Sequence, residues 1–101
     1  MRNRNYKYSK YIFSSRWRSV SRNKRKQTPF CQRCGFTADL VVHHMTYERV
    51  GRELSSDLCV LCKYCHEEFH TKYGKKLIMV EETFSFISKQ HLEAKACLLD
   101  Y

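Results

Sequence analysis

The sequence predicts a small α+β domain, built around a four-cysteine zinc site and flanked by an N-terminal and a C-terminal helix. Three observations carry this. Cys31-x2-Cys34 and Cys62-x2-Cys65 form two CxxC pairs. Between them lie two short apolar, β-branched runs, residues 40–44 and 57–61. Residues 63–73 then space their side chains as a helix does, with His66 and His70 one turn apart on one face. At 101 residues the chain makes one small domain with a limited core, and a structural metal is a common supplement at that size.

The first element is basic. Residues 1–30 hold Arg2, Arg4, Lys7, Lys10, Arg16, Arg18, Arg22, Lys24, Arg25 and Lys26, and no acidic residue. The rest of the chain is close to neutral, so the net charge of +9 sits in an N-terminal arm. Tyr6, Tyr8, Tyr11 and Trp17 interleave with the cations. Such a segment suits phosphate backbones, with counterion release driving affinity. Arg16, Arg18, Arg22, Lys24, Arg25 and Lys26 are the expected nucleic-acid contacts, and DNA the expected partner. Residues 1–10 alone also read as a solvated tail. Residues 11–27 can form a helix with Ile12, Trp17 and Val20 as a thin apolar stripe. Ser14 or Ser15 can cap it if it starts late, and Pro29 ends it.

The core is expected over residues 31–74. Cys31 to Gly35 reads as a tight turn in which Gly35 is free to take a positive φ. Leu40-Val41-Val42-His43-His44 reads as a strand. Residues 46–56 are mostly polar and read as a loop, and Asp57 to Leu61 leads into Cys62. Gly74 is placed to stop the following helix. Residues 75–101 form an extension in which Phe84, Ile87, His91, Ala94 and Leu98 follow helical spacing, which predicts a helix covering the core or a partner surface. No run of apolar residues is long enough to span a membrane, and the N-terminus has no apolar segment of the secretory kind. The cysteines therefore read as metal ligands in a reducing, cytoplasmic compartment, ahead of a disulfide framework.

Cys31, Cys34, Cys62 and Cys65 can give a closed tetrahedral zinc site of four thiolates. Four free core cysteines would leave the paired spacing unexplained. Zinc there would tie the turn before the first strand to the helix after the second. Cys59 and Cys97 have no CxxC partner and read as small core hydrophobes. His43, His44, His66 and His70 are then too many for a zinc saturated by sulfur. A lone histidine is usually a satisfied core or surface residue. An adjacent pair upstream of an i, i+4 pair fits that reading poorly. Neutral imidazoles suit a borderline metal, and one of pKa near neutrality suits proton abstraction. A regular pleat sends His43 and His44 to opposite faces, so asymmetric roles are expected, one on the metal and one on water.

Cys31-Gln32-Arg33-Cys34-Gly35, Leu40-Val41-Val42-His43-His44-Met45-Thr46-Tyr47, Gly51-Arg52-Glu53 and Asp57-Leu58-Cys59-Val60-Leu61-Cys62-Lys63-Tyr64-Cys65-His66-x3-His70 closely resemble the zinc-containing HNH endonucleases, many of them from phages and bacteria. The resemblance implies a treble-clef-like ββα-metal fold around one catalytic divalent cation: Mg²⁺, Mn²⁺, Ni²⁺ or Zn²⁺. Carried over by position, it implies His43 and His66 as ligands of that cation. His70 is a further ligand or a phosphate contact, and His44 the general base. Cleavage would leave a 5′-phosphate and a 3′-hydroxyl. Asp57 stands where the family has a loop-fastening asparagine. Aspartate can accept those hydrogen bonds but cannot donate them unless protonated, and an asparagine would restore a donor. In the loop, Arg49 and Arg52 can meet phosphates, and Glu53 can orient a histidine from behind. Two rival readings are a zinc-stabilised DNA-binding module without turnover, and an interaction subunit of a phage DNA-packaging machine.

Overall fold

The computed structural model describes residues 10–88. Helix α1 spans Ser15–Gln27 and takes the later of the two starts that the sequence allows. Ser14 caps it, its Oγ accepting the Trp17 N–H at 3.2 Å. Residues 12–13 turn instead of coiling, and Ser14 N–H closes that turn on Tyr11 O at 2.8 Å. Lys24, Arg25 and Lys26 fill the last turn, where cations oppose the negative end of the helix dipole. Thr28 ends the helix one residue before Pro29.

Strands β1 (Leu40–His44) and β2 (Leu58–Cys62) form one antiparallel pair. Its register sets Leu40 opposite Cys62, His43 opposite Cys59 and His44 opposite Leu58. The pair is covered on both faces, which is why β2 reads as an unbroken apolar run and not an alternation. Trp17 of α1 stacks on His44 from one side. On the other lies α2 (Lys63–Tyr73), whose Phe69 meets the edge of His43. A short 3₁₀ turn, Ser55–Asp57, delivers the chain into β2. Gly74 closes α2 at φ 75°, and its N–H reaches His70 O at 2.9 Å.

The segment after α2 returns to the loop that follows β1. Tyr47 N–H donates to Leu77 O at 2.8 Å, and Met79 N–H donates to Met45 O at 2.7 Å. Helix α3 then covers residues 80–88. Met79 and Phe86 join Cys31, Cys59, Leu61 and Phe69 in one buried cluster. Phe86 meets the Phe69 ring at 5.5 Å, nearly perpendicular, with the Arg33 guanidinium 3.6 Å from its centroid on another side.

The phase of α3 differs from the expected stripe. Met79, Thr83 and Phe86 face inward and Ile87 packs at the margin, while Phe84 is 56 % exposed. Phe84 lies two residues from Phe86, about 200° around a helix, so seating Phe86 on Phe69 turns Phe84 to the outside. His91, Ala94, Cys97 and Leu98 lie outside the described residues. Among the described residues no helix is long and apolar enough to cross a membrane.

Candidate metal centre

Two donor clusters form, toward opposite ends of the strand pair. The first takes Cys31 and Cys34 from the turn before β1, and Cys62 and Cys65 from the step out of β2 into α2. One sulfur from each lies within 4.8 Å of the others. Cys34 Sγ and Cys62 Sγ are 3.8 Å apart, about the edge of a tetrahedron with Zn–S bonds of ~2.3 Å. The two turns repeat one construction. Cys34 N–H points at Cys31 Sγ and Cys65 N–H at Cys62 Sγ, each at 3.5 Å. Gly35 makes the first turn possible at φ 82°. Burial alone would push the Cys31 thiol up, but backbone N–H groups aimed at its sulfur pull it down to about 7. Buried Cys59 is pushed up to about 12 by burial, stays a thiol and stands apart from the cluster, as a core residue should. The four sulfurs can therefore hold one structural metal ion.

The second cluster is imidazole. His43, His66 and His70 each bring a ring nitrogen within 4.8 Å of the others. His66 Nε2 and His70 Nε2 are 3.1 Å apart, inside the roughly 2.9–3.4 Å that separates two nitrogens on one ion at ~2.05 Å. His70 Nδ1 lies 2.9 Å from Gly74 O, an atom that only accepts, so Nδ1 carries the proton and Nε2 faces His66 as a lone pair. His43 is 1 % exposed, and its Nδ1 is buried without a hydrogen-bond partner. That orphaned nitrogen beside two imidazoles fits a cation. Burial, then the charge of His66 and His70, lowers His43 to about 3. Burial, then His70 and Lys75, lowers His66 to about 4. Both rings are neutral at neutral pH, the state a metal ligand needs.

His44 points the other way, as the pleat requires. It is 2 % exposed and lies between two rings, with centroids 4.5 Å from Trp17 and 5.3 Å from Tyr47. Its Nε2–H donates to Glu53 Oε2 at 2.9 Å. Tyr11 donates to the other oxygen at 2.8 Å. Burial would raise Glu53, but these two hydrogen bonds reverse the effect and hold it ionised, below the usual carboxylate range. Burial lowers His44, against the pull of Glu53.

Asp57 is 3 % exposed and acts wholly as an acceptor. Arg49 Nε–H donates to Oδ2 at 2.8 Å, Arg49 Nη2 meets Oδ1, and Leu54 N–H reaches Oδ2 at 3.0 Å. The Arg49 guanidinium and the Leu54 N–H hold the Asp57 carboxyl below its usual range. An asparagine here would turn an NH₂ toward a guanidinium, so this neighbourhood does not call for the missing donor. Arg49 brings the donors itself.

Several cations expected on nucleic acid have partners within the fold. Lys24 Nζ donates to Ser55 O and Oγ, both at 2.9 Å, fastening α1 to the 3₁₀ turn. Arg18 donates to Phe13 O at 3.2 Å, and Arg16 lies 3.9 Å from Glu53. Arg22, Lys26 and Arg52 are exposed, and Arg25 is half-buried. Two contacts at the histidines have no local signal in the sequence: Thr83 on His43 Nε2, at 3.1 Å, and Tyr11 on Glu53. They lie 40 and 42 positions from their partners, so no local pattern announces either.

The family model described as HNH endonuclease matches residues 31–72 of the chain. That range holds both donor clusters, His44, Glu53 and Asp57, and stops before Gly74 and α3. No curated protein and no solved structure matches the chain.

Removing one sulfur should break the fold and not merely loosen it, because metal binding here is folding free energy. Cys62→Ser should lose its bound metal and unfold or melt far below wild type, read by metal analysis and circular dichroism. A folded Cys62→Ser protein with full metal content would contradict this. A pH dependence follows from the imidazoles. His43 and His66 have folded pKa values below the unfolded ~6.5, so their contribution is complete above that pH and lost as pH falls. Each adds at most about 1.4 kcal/mol per pH unit. Urea midpoints should drop from pH 7 to pH 5.5, and less steeply in His66→Gln. Equal slopes would show that His66 is not held neutral.

Proposed function

We propose that this chain is a metal-dependent endonuclease that hydrolyses phosphodiester bonds of DNA. The observation that carries the reading is the three-imidazole cluster with an orphaned His43 Nδ1, inside a segment matched by the HNH family. In this reading the cysteine cluster holds zinc, and His43, His66 and His70 would hold a second divalent cation: Mg²⁺, Mn²⁺, Ni²⁺ or Zn²⁺. Such an ion, when bound, stabilises the charge that develops on the scissile phosphate and the leaving oxygen.

The remaining work falls to the chain. His44 gives its Nε2–H to Glu53, so Nδ1 is the atom that takes the proton of the attacking water. The ionised Glu53 then stabilises the imidazolium. Trp17 and Tyr47 fix the plane of the ring. Asp57 with Arg49 keeps the loop between the strands closed, which keeps Glu53 behind His44. Asp57 is in that sense a positioning residue. Arg22, Lys26 and Arg52 contact phosphates, with Arg16, Arg18 and Arg25 beside them. Lys24 and Arg49 serve chiefly as internal ties.

Nicking of supercoiled plasmid with and without chelator tests this reading. Wild type should cut only with divalent metal. His44→Ala should lower cleavage ~10²–10⁴-fold, the usual loss for a positioned base, and keep its fold and zinc. His44 is deeply buried, so its ring also has a packing role. His44→Gln keeps a donor toward Glu53 and should be as inactive as His44→Ala. Glutamine activity near wild type would assign His44 to packing. A wild type that binds DNA but cuts with no divalent metal would instead be a binding module. Weak, salt-insensitive DNA binding would point to a protein-interaction subunit.

The arm calls for point variants, because deleting it would also remove Trp17 and Lys24. Arg22→Ala with Lys26→Ala should weaken binding to every sequence alike and reduce the slope of log K against log salt by about 1–2. An unchanged slope would exclude these two side chains from the phosphate contacts.

A further inference from the structure

Thr83 lies outside the family match, in α3, yet its hydroxyl lies against the most buried histidine of the imidazole cluster. Its single proton is committed. Oγ1 stands 2.6 Å from Met79 O, a carbonyl one helical turn back that only accepts. Toward His43 Nε2, at 3.1 Å, Thr83 can therefore only accept. His43 must carry its proton on Nε2 to make that bond. A neutral imidazole has one ring proton, so Nδ1 is left as a bare lone pair. This is the same nitrogen that is buried without a partner.

We propose that Thr83 is the positioning residue of the histidine cluster: it fixes His43 as the Nε2–H tautomer and so presents Nδ1 to a divalent cation held with His66 and His70. The metal half of this rests on the reading of the cluster given above; the tautomer half does not. The same logic operates at His70, where Gly74 O takes the Nδ1 proton and leaves Nε2 facing inward. Acceptors beyond residue 72 thus set the tautomer of two of the three rings. Thr83 is itself fully buried, and its helix is held by the Met79–Met45 backbone bond and by Phe86 in the core. The extension is therefore part of the centre and not a cover laid over it.

Two measurements on the full chain carrying its zinc separate the halves. The first is the tautomer of His43 by long-range ¹H–¹⁵N correlation with histidine-labelled protein, before any second metal is added. Wild type should show Nε2 protonated and Nδ1 bare. A protonated Nδ1 overturns the proposal whatever the metal results are. The second is Ni²⁺ affinity by calorimetry. Thr83→Val keeps the shape but accepts no hydrogen bond, and should bind Ni²⁺ ~10–100-fold more weakly, the usual loss for an outer partner of a ligating histidine. Thr83→Ser restores the oxygen and should recover most of that loss. Valine binding as tightly as wild type, or serine as weakly as valine, overturns the positioning role. If Thr83→Val does not fold, Thr83→Ala replaces it beside serine, and the wild-type tautomer still decides the first half. If wild type takes up no Ni²⁺, or His66→Ala takes it up as well as wild type does, the cluster is no metal site and that reading fails, while the tautomer result stands.

Discussion

The structure depends on the antiparallel pairing of two five-residue strands in one register. Leu40 opposite Cys62 puts the start of β1 beside the end of β2, so the turn before one and the helix after the other share an end of the sheet. Four sulfurs meet there. The same register carries His43 and His44 to the opposite end. A slip of one residue would exchange their faces and turn His43 away from His66 and His70. Two strands alone are marginal in water, so the register needs the cysteine clamp at one end and the covering helices on both faces.

The pleat gives the adjacent histidines different surroundings. His43 enters an apolar pocket with Phe69 at its edge and two further imidazoles beside it, and burial keeps it neutral. His44 meets a buried carboxylate that Tyr11 and its own Nε2–H keep ionised. One ring is thus prepared to give a lone pair, and the other to have a positive charge balanced. The loop between the strands is held by the Asp57–Arg49 pair, whose four atoms form a fork of the kind planar guanidinium makes with carboxylate.

Much of this was legible in the sequence because it rests on short spacings. CxxC is a local bite, so both halves of the sulfur cluster stand out without knowledge of the fold. The strands showed as β-branched runs, α2 as an i, i+4 pair, and the ends of α1 and α2 as Ser14, Pro29 and Gly74. Glu53 was legible as a loop carboxylate able to orient a histidine from behind. The phase of α3 was not, since an exposed and a buried phenylalanine two residues apart look alike until Phe69 chooses between them. Thr83 was not legible either. A threonine's role as acceptor depends on where its proton goes, and here a carbonyl one turn away takes it, leaving the oxygen to a histidine on β1. The use of Lys24 and Arg49 as internal ties was hidden for the same reason. Charge is visible in a sequence, but the partner that captures it is not.

Among the described residues the chain has two separate donor sets, and in the proposed function sulfur holds one ion and imidazole another. X-ray absorption on protein loaded first with zinc and then with Ni²⁺ tests it most directly. The expected zinc edge has a first shell of four sulfurs with no nitrogen, unchanged when Ni²⁺ is added. The expected nickel edge has nitrogen and oxygen neighbours and no sulfur, and is lost in His66→Ala. A zinc shell of mixed sulfur and nitrogen, or nickel bound to sulfur, would contradict that assignment.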